Sequence, residues 1–183
     1  MSTIAIVGNG SLSEDQRSEI SKHDIVVRFN GIYNYREGEK SNIIYFRCNP
    51  GVKLLNKKDN PFPGFTAFDK HTAKYDAQTF IYISPHDNKK HLIPEMAKYY
   101  NSNYHIIQKH EFPDPPNKRL TWSSGFFGVL DMKRNYPNHI MHIYGMCWPD
   151  AHGIPGSHEE KRIRKIPNVI IHNTPTNEYH GCP

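Results

Sequence analysis

The sequence predicts an α/β fold: a single domain, residues 1–183, built as a three-layer sandwich around a mostly parallel sheet. Three observations predict it. Short runs rich in β-branched and aromatic residues recur along the whole chain, as buried strands do. Stretches with apolar residues at helical spacing separate several of them. Between Thr3 and Asn30 a strand, a Gly-Asn-Gly turn, a helix and a second strand follow one another, which is the β-α-β unit of parallel sheets.

The first strand is Thr3–Val7. Gly8-Asn9-Gly10 breaks it, and Ser11 or Ser13 caps a helix over Glu14–Lys22. Ile25–Phe29 is the second strand, closed by Asn30, and Asn42–Phe46 the third. Residues 51–78 show little periodicity and contain Pro61, Pro63 and Gly64, the pattern of a loop with one short helix. Thr79–Ser84 is a fourth strand, Leu92–Asn101 a short helix, Tyr104–Gln108 a fifth strand, and Phe112–Asn117 a proline-rich irregular loop. Gly125–Arg134 follows as a helix with Phe126, Val129, Leu130 and Lys133 at helical spacing and Ser123 or Ser124 as its cap. His139–Met146 is a strand, Glu159–Lys165 a helix and Val169–His172 a last strand.

Composition bounds the function. Hydrophobic residues make up only 37%, and the mean hydropathy is -0.73, but 11 Tyr and 9 Phe supply large side chains for a core. The net charge of +5 favours an anionic ligand. The basic clusters Lys57-Lys58, Lys89-Lys90 and Lys161–Lys165 are scattered, which argues against a nucleic-acid partner. Cys48, Cys147 and Cys182 have no paired spacing, as expected of a reducing compartment. No signal peptide and no membrane span is legible, so the expectation is a cytoplasmic protein.

The Gly8-Asn9-Gly10 turn is of the kind that lets a backbone approach a phosphate before a helix N-terminus. It lacks the third glycine of a dinucleotide fingerprint, and Asn30 stands where a ribose-binding acid would be. A tight turn without a ligand has the same signature. Ser123-Ser124-Gly125 opens a second helix in the same manner, so two positive dipole ends are expected to converge on one anion. In their order, Val7–Gly10, Val26–Asn30, Ser123–Gly125 and the histidines His152 and His158 resemble the sialyltransferases. In the animal-type family a long motif begins with a strand and Val-Gly-Asn and ends in a strand and Arg-x-Asn, matched by Val7-Gly8-Asn9 and Arg28-Phe29-Asn30. A shorter motif opens a helix with Ser/Thr-Gly and closes a strand, matched by Ser124-Gly125 and Tyr144-Gly145. His158 takes the place of the family's late histidine, although Glu159 and Glu160 follow it at once rather than about five residues on. A bacterial sialyltransferase family shares the Gly-Asn-Gly turn, the Arg-x-Asn strand end and the Ser-Gly helix start. The disulfide and membrane anchor of the animal enzymes have no counterpart in this sequence.

The resemblance implies a GT-A-like fold and an inverting, metal-independent transfer from CMP-sialic acid to a glycan hydroxyl, with no cofactor. It implies a nucleotide site at Gly8, Asn9, Gly10, Asn30, Ser123, Ser124 and Gly125. The asparagines carry donors and acceptors for ribose, base and phosphate, and Ser124 Oγ and the Gly125 amide suit an anion. Histidine titrates in the range of a general base. His158 is assigned that role, and His152 assists the leaving phosphate or is the base itself. No Asp-x-Asp motif of a Mg²⁺ or Mn²⁺ site is present, and a zinc reading of His152, His158 and Glu159 lacks a third good ligand. Tyr144 and Trp148 line the site or belong to the core, and Arg28 alternatively makes a structural ion pair. Other readings are a CMP-Kdo transferase, an NAD-linked oxidoreductase and a non-catalytic nucleotide- or glycan-binding domain.

Overall fold

A computed structural model of the chain describes residues 2–29, 34–36, 38–46, 78–84, 94, 98, 103–115, 122–146, 148 and 156–173. The strands β1 (Thr3–Val7), β2 (Ile25–Phe29), β3 (Ile43–Phe46), β4 (Thr79–Ser84), β5 (Asn103–Gln108), β6 (Ile140–Tyr144) and β7 (Val169–Ile171) form one seven-stranded sheet. Their order is β5-β4-β3-β2-β1-β6-β7, and every neighbouring pair is parallel. The chain builds outward from β1 to β5, then returns to the other side of β1 for β6 and β7. The sheet is thus wholly parallel among the described residues, where the sequence predicted a mostly parallel one.

The reversal sends connecting helices to both faces, since a crossover that changes direction changes side. Alternate strand residues supply both faces with apolar side chains. On one face Ala5, Val7, Val26 and Tyr144 bury Ile20 of α1 (Glu14–Ser21). On the other, Ile4, Ile6, Val27, Phe29 and Tyr45 pack against Phe126, Phe127, Val129 and Met132 of α2 (Ser124–Asn135) and Ile163 of α3 (Gly156–Ile163). Helix α1 is held locally: Ser13 Oγ accepts from the Gln16 amide while Gln16 reaches back to the Ser13 amide. Helix α2 lies close to the sheet because Gly128 has no side chain; a Cβ there would fall 2.4 Å from the Phe29 ring. The Tyr45 hydroxyl donates to Asp131 at 2.6 Å, and Arg134 donates to the other Asp131 oxygen at 2.9 Å. Burial, and then the Asp131 carboxylate, push the Tyr45 phenol well above its ordinary range.

Two elements differ from the sequence expectation by more than one residue, for physical reasons. Strand β6 ends at Tyr144, not Met146, because Gly145 turns into the left-handed region at φ +59°. Helix α3 begins at Gly156, not Glu159, so that Glu159 points inward; the residue is 5% exposed and its partner Ser123 is 36 positions away. A 3-10 turn at Lys109–Glu111 precedes the irregular loop. The expected loop over 51–78 lies outside the described residues except Gln78, and the expected helix Leu92–Asn101 does so except Pro94 and Lys98, both helical.

Candidate functional site

In an open parallel sheet the crevice lies at the carboxyl ends of the strands where the order reverses. Here that point is between β1 and β6. The β1–α1 turn is stitched to β6: the Gly8 amide donates to Tyr144 O at 2.8 Å and the Gly10 amide to Gly145 O at 2.7 Å. These glycine amides are therefore engaged by the fold, and Gly8 and Gly10 are themselves buried. The α1 N-terminus is likewise answered by its own Glu14 and Asp15 in the first turn. The sequence expectation of an anion on that helix end meets two carboxylates there.

Helix α2 offers the better donors. Ser123 caps it, its Oγ accepting from the Phe126 amide at 3.1 Å, and no acidic residue stands in the first turn. The Ser124 and Gly125 amides are among the first-turn N–H groups that a helix leaves without an intrahelical acceptor. The start of α2 lies against the β1–α1 turn through Met146. A Cβ on Gly8 would lie 2.9 Å from the Met146 sulfur, and one on Gly125 2.5 Å from its methyl carbon. The two glycine turns, far apart in sequence, thus sit on either side of one thioether. Asn9 is buried beside them; its Nδ2 donates to Phe29 O at 3.2 Å, which fixes the amide orientation, and its Oδ1 has no hydrogen-bond partner among the described residues. A buried acceptor of this kind gains from a ligand donor.

Glu159 binds the first turn of α3 to the start of α2. Its two carboxylate oxygens accept from the Ser123 amide and from Ser123 Oγ, each at 2.6 Å. His158, the preceding residue, is exposed on the same first turn. Both helices precede a parallel strand, so their first turns lie at the carboxyl edge of the sheet, and His158 is brought to the edge that carries Ser124 and Gly125. Ser123 is spent on the cap and on Glu159. Glu159, both of whose oxygens are engaged, is not available to a zinc ion with His158. Asn30 and His152 lie outside the described residues. Tyr144 is fully buried and belongs to the core, while Trp148 packs against the main core from a backbone at φ 47°.

Beneath the turn is a polar scaffold that sequence reasoning did not find. Asn34 Nδ2 donates to Gly8 O at 2.8 Å and to Gly10 O at 2.6 Å. Its Oδ1 faces Arg28 Nη1 at 3.4 Å. Arg28 is 1% exposed, and its Nη2 donates to Glu39 Oε2 at 2.9 Å. Burial pulls the Arg28 guanidinium down from its ordinary range and the Glu39 carboxylate opposes the shift. A cleft of 540 Å³ beside this network is lined by Arg17, Arg28, Arg36, Glu14, Glu39 and Lys40 among others. Its guanidiniums pair with Glu14 and Glu39, so it is the flank of the scaffold. Asn34, Met146 and Glu159 carried no motif; the one local signal was Arg28, an arginine inside an apolar strand.

Gly8→Ala is expected to destabilise the chain by about 1–3 kcal/mol through overpacking. The added Cβ would lie 2.5 Å from Gly145 O, which is backbone and already fixed by hydrogen bonding. Gly125→Ala meets the end of the flexible Met146 side chain and is expected to cost less. Thermal unfolding of the two variants checks this order, and an equal loss in both would contradict it.

No protein-family model, no curated protein and no solved structure matches the chain. No helix among the described residues is long and apolar enough to cross a membrane.

Proposed function

We propose that the chain is an inverting, metal-independent glycosyltransferase of GT-A-like fold that moves sialic acid from CMP-sialic acid to a glycan hydroxyl. The observation that carries the reading is the double hydrogen bond of Glu159 to Ser123, which sets His158 and the first turn of α2 on one edge of the sheet. The first-turn amides and Ser124 Oγ receive the phosphate or the sugar carboxylate, and the free Oδ1 of Asn9 takes a donor from the nucleoside. The acceptor oxygen bonds to the anomeric carbon as the bond from that carbon to the phosphate oxygen breaks. His158 takes the acceptor proton, and CMP leaves with both electrons of the broken bond. His152 assists the leaving phosphate. The sequence resemblance supports the choice of CMP and an acidic sugar.

The test is CMP release from CMP-sialic acid and, in parallel, CMP-Kdo, each across a panel of glycan acceptors, together with thermal unfolding in CMP and in NAD. CMP at a hundredfold excess over its Kd is expected to add about 2.7 kcal/mol of stability, with no shift from NAD. Turnover with CMP-sialic acid establishes the reading. Turnover with CMP-Kdo alone changes the donor. Stabilisation by NAD and not by CMP overturns the assignment in favour of a nicotinamide enzyme, and binding of CMP without turnover on any acceptor leaves a nucleotide-binding domain.

A further inference from the structure

The face of the sheet under α1 carries a second group of chemistry-bearing side chains. Alternation along β6 puts His142 and Tyr144 on this face. His172 follows β7 directly, and its amide donates to Ile143 O at 2.9 Å, continuing the β6–β7 ladder. The Tyr144 and His172 rings stack at 4.2 Å and 14°, and the His142 and His172 rings lie 5.2 Å apart at 23°. This stacking brings His142 Nδ1 and His172 Nε2 to 3.0 Å from each other. From α1, Glu19 adds a carboxylate: one oxygen of Glu19 and one nitrogen of each histidine all lie within 4.8 Å of one another. Behind them the Tyr144 hydroxyl and His23 Nε2 hydrogen-bond at 3.0 Å.

We propose that Glu19, His142 and His172 form a binding site for a divalent transition-metal ion of the zinc type, with the fourth position open to water. Two imidazoles and one carboxylate are the donor set of three-ligand zinc sites. Tetrahedral Zn²⁺ with Zn–N of about 2.0–2.1 Å sets neighbouring ligand atoms about 3.3 Å apart. The histidine nitrogens at 3.0 Å need only a small ring movement to reach that separation. The outer contacts also fit. Tyr144 stacks on one ligand ring, as outer partners orient metal ligands. Mg²⁺ and Ca²⁺ prefer oxygen ligands and are poorly served by this set. An ion has a route in: the three ligands are half-buried, and Ile170, the register partner of His142 on the edge strand, is 45% exposed. The bound ion joins α1 to β6 and β7 and so stiffens the return strand to which the Gly8–Gly10 turn is stitched. It is a separate site from the proposed sugar-transfer centre and supplies nothing to that reaction.

The test uses the full chain, stripped with a chelator and dialysed. It is titrated with Co²⁺, followed by visible absorption, and with Zn²⁺, followed by thermal unfolding. Tetrahedral Co²⁺ bands and a Zn²⁺-dependent rise in Tm are expected, with no shift from Mg²⁺. His172→Asn, His142→Asn and Glu19→Gln are each expected to weaken Zn²⁺ binding more than about tenfold. His172 lies at the end of the edge strand and Glu19 on the half-buried side of α1, so these two variants decide the matter even where His142→Asn disturbs β6; far-UV circular dichroism checks their folding. Absence of both signals in the wild-type chain overturns the proposal. Unchanged affinity in His172→Asn and Glu19→Gln also overturns it, because the ion then sits on other histidines. The readout is metal binding, so the outcome is independent of whether the chain transfers a sugar.

Discussion

Glu39→Ala is expected to lower the stability of the chain by about 3–5 kcal/mol, the cost of leaving a buried charge without its partner. Arg28 is 1% exposed on β2, and its only carboxylate partner among the described residues is Glu39, at 2.9 Å. The same carboxylate also accepts from Arg17. Removing it leaves a guanidinium in the sheet interior and a second one beside it. The charge is irreducible at working pH, since arginine does not lose its proton in the accessible range. Replacing both Arg28 and Glu39 by apolar residues is expected to recover part of the loss, because no buried charge then remains. Denaturant midpoints at constant slope measure both effects. A loss below about 0.5 kcal/mol in Glu39→Ala would show that water reaches Arg28 and that the pair behaves as a surface one. The double variant also loosens Asn34, whose amide holds the carbonyls of Gly8 and Gly10, so CMP affinity is expected to fall even where stability returns.

His158→Ala is expected to reduce kcat by about 10²–10⁴-fold while CMP affinity stays near the wild-type value. In the proposed mechanism the base acts on the acceptor hydroxyl and has no part in holding the nucleotide. The side chain is exposed on the first turn of α3, so its removal leaves the core intact and the rate change is not a folding effect. His152→Ala is expected to lower CMP affinity together with the rate if that residue assists the leaving phosphate. Glu159→Ala separates position from chemistry. It releases the α3 turn from Ser123, so the rate falls and thermal stability falls with it, whereas His158→Ala changes the rate alone. Near-wild-type turnover in His158→Ala moves the base to His152 or elsewhere. Near-wild-type turnover in both histidine variants removes this stretch from the chemistry.

The sequence by itself determined what depends on neighbours a few positions apart. The β-branched runs at Thr3–Val7, Ile25–Phe29 and Thr79–Ser84 are strands with the expected bounds, because strand formation reads local side-chain shape and alternation. The caps are legible to within two residues, as Ser11 or Ser13 and Ser123 or Ser124, because a hydroxyl and an amide three residues on decide them, and the structure selects Ser13 and Ser123. The break after Val7 at Gly8 is legible in the same way, because a glycine closes the apolar run. Only the tertiary structure decided the rest, and in each case the partner is remote in the chain. The strand order that makes β1 and β6 neighbours spends the glycine amides on Tyr144 and Gly145. Glu159 reads as a solvent-facing acid on a basic helix until Ser123, 36 residues earlier, is brought beneath it. His142 and His172 show no ligand spacing along the chain, being 30 residues apart, yet adjacent parallel strands put their nitrogens in contact. Charges and hydrogen-bonding groups are satisfied by whatever the fold delivers within about 3 Å, and that distance carries no trace in a linear pattern unless both partners lie within one turn or one strand pair.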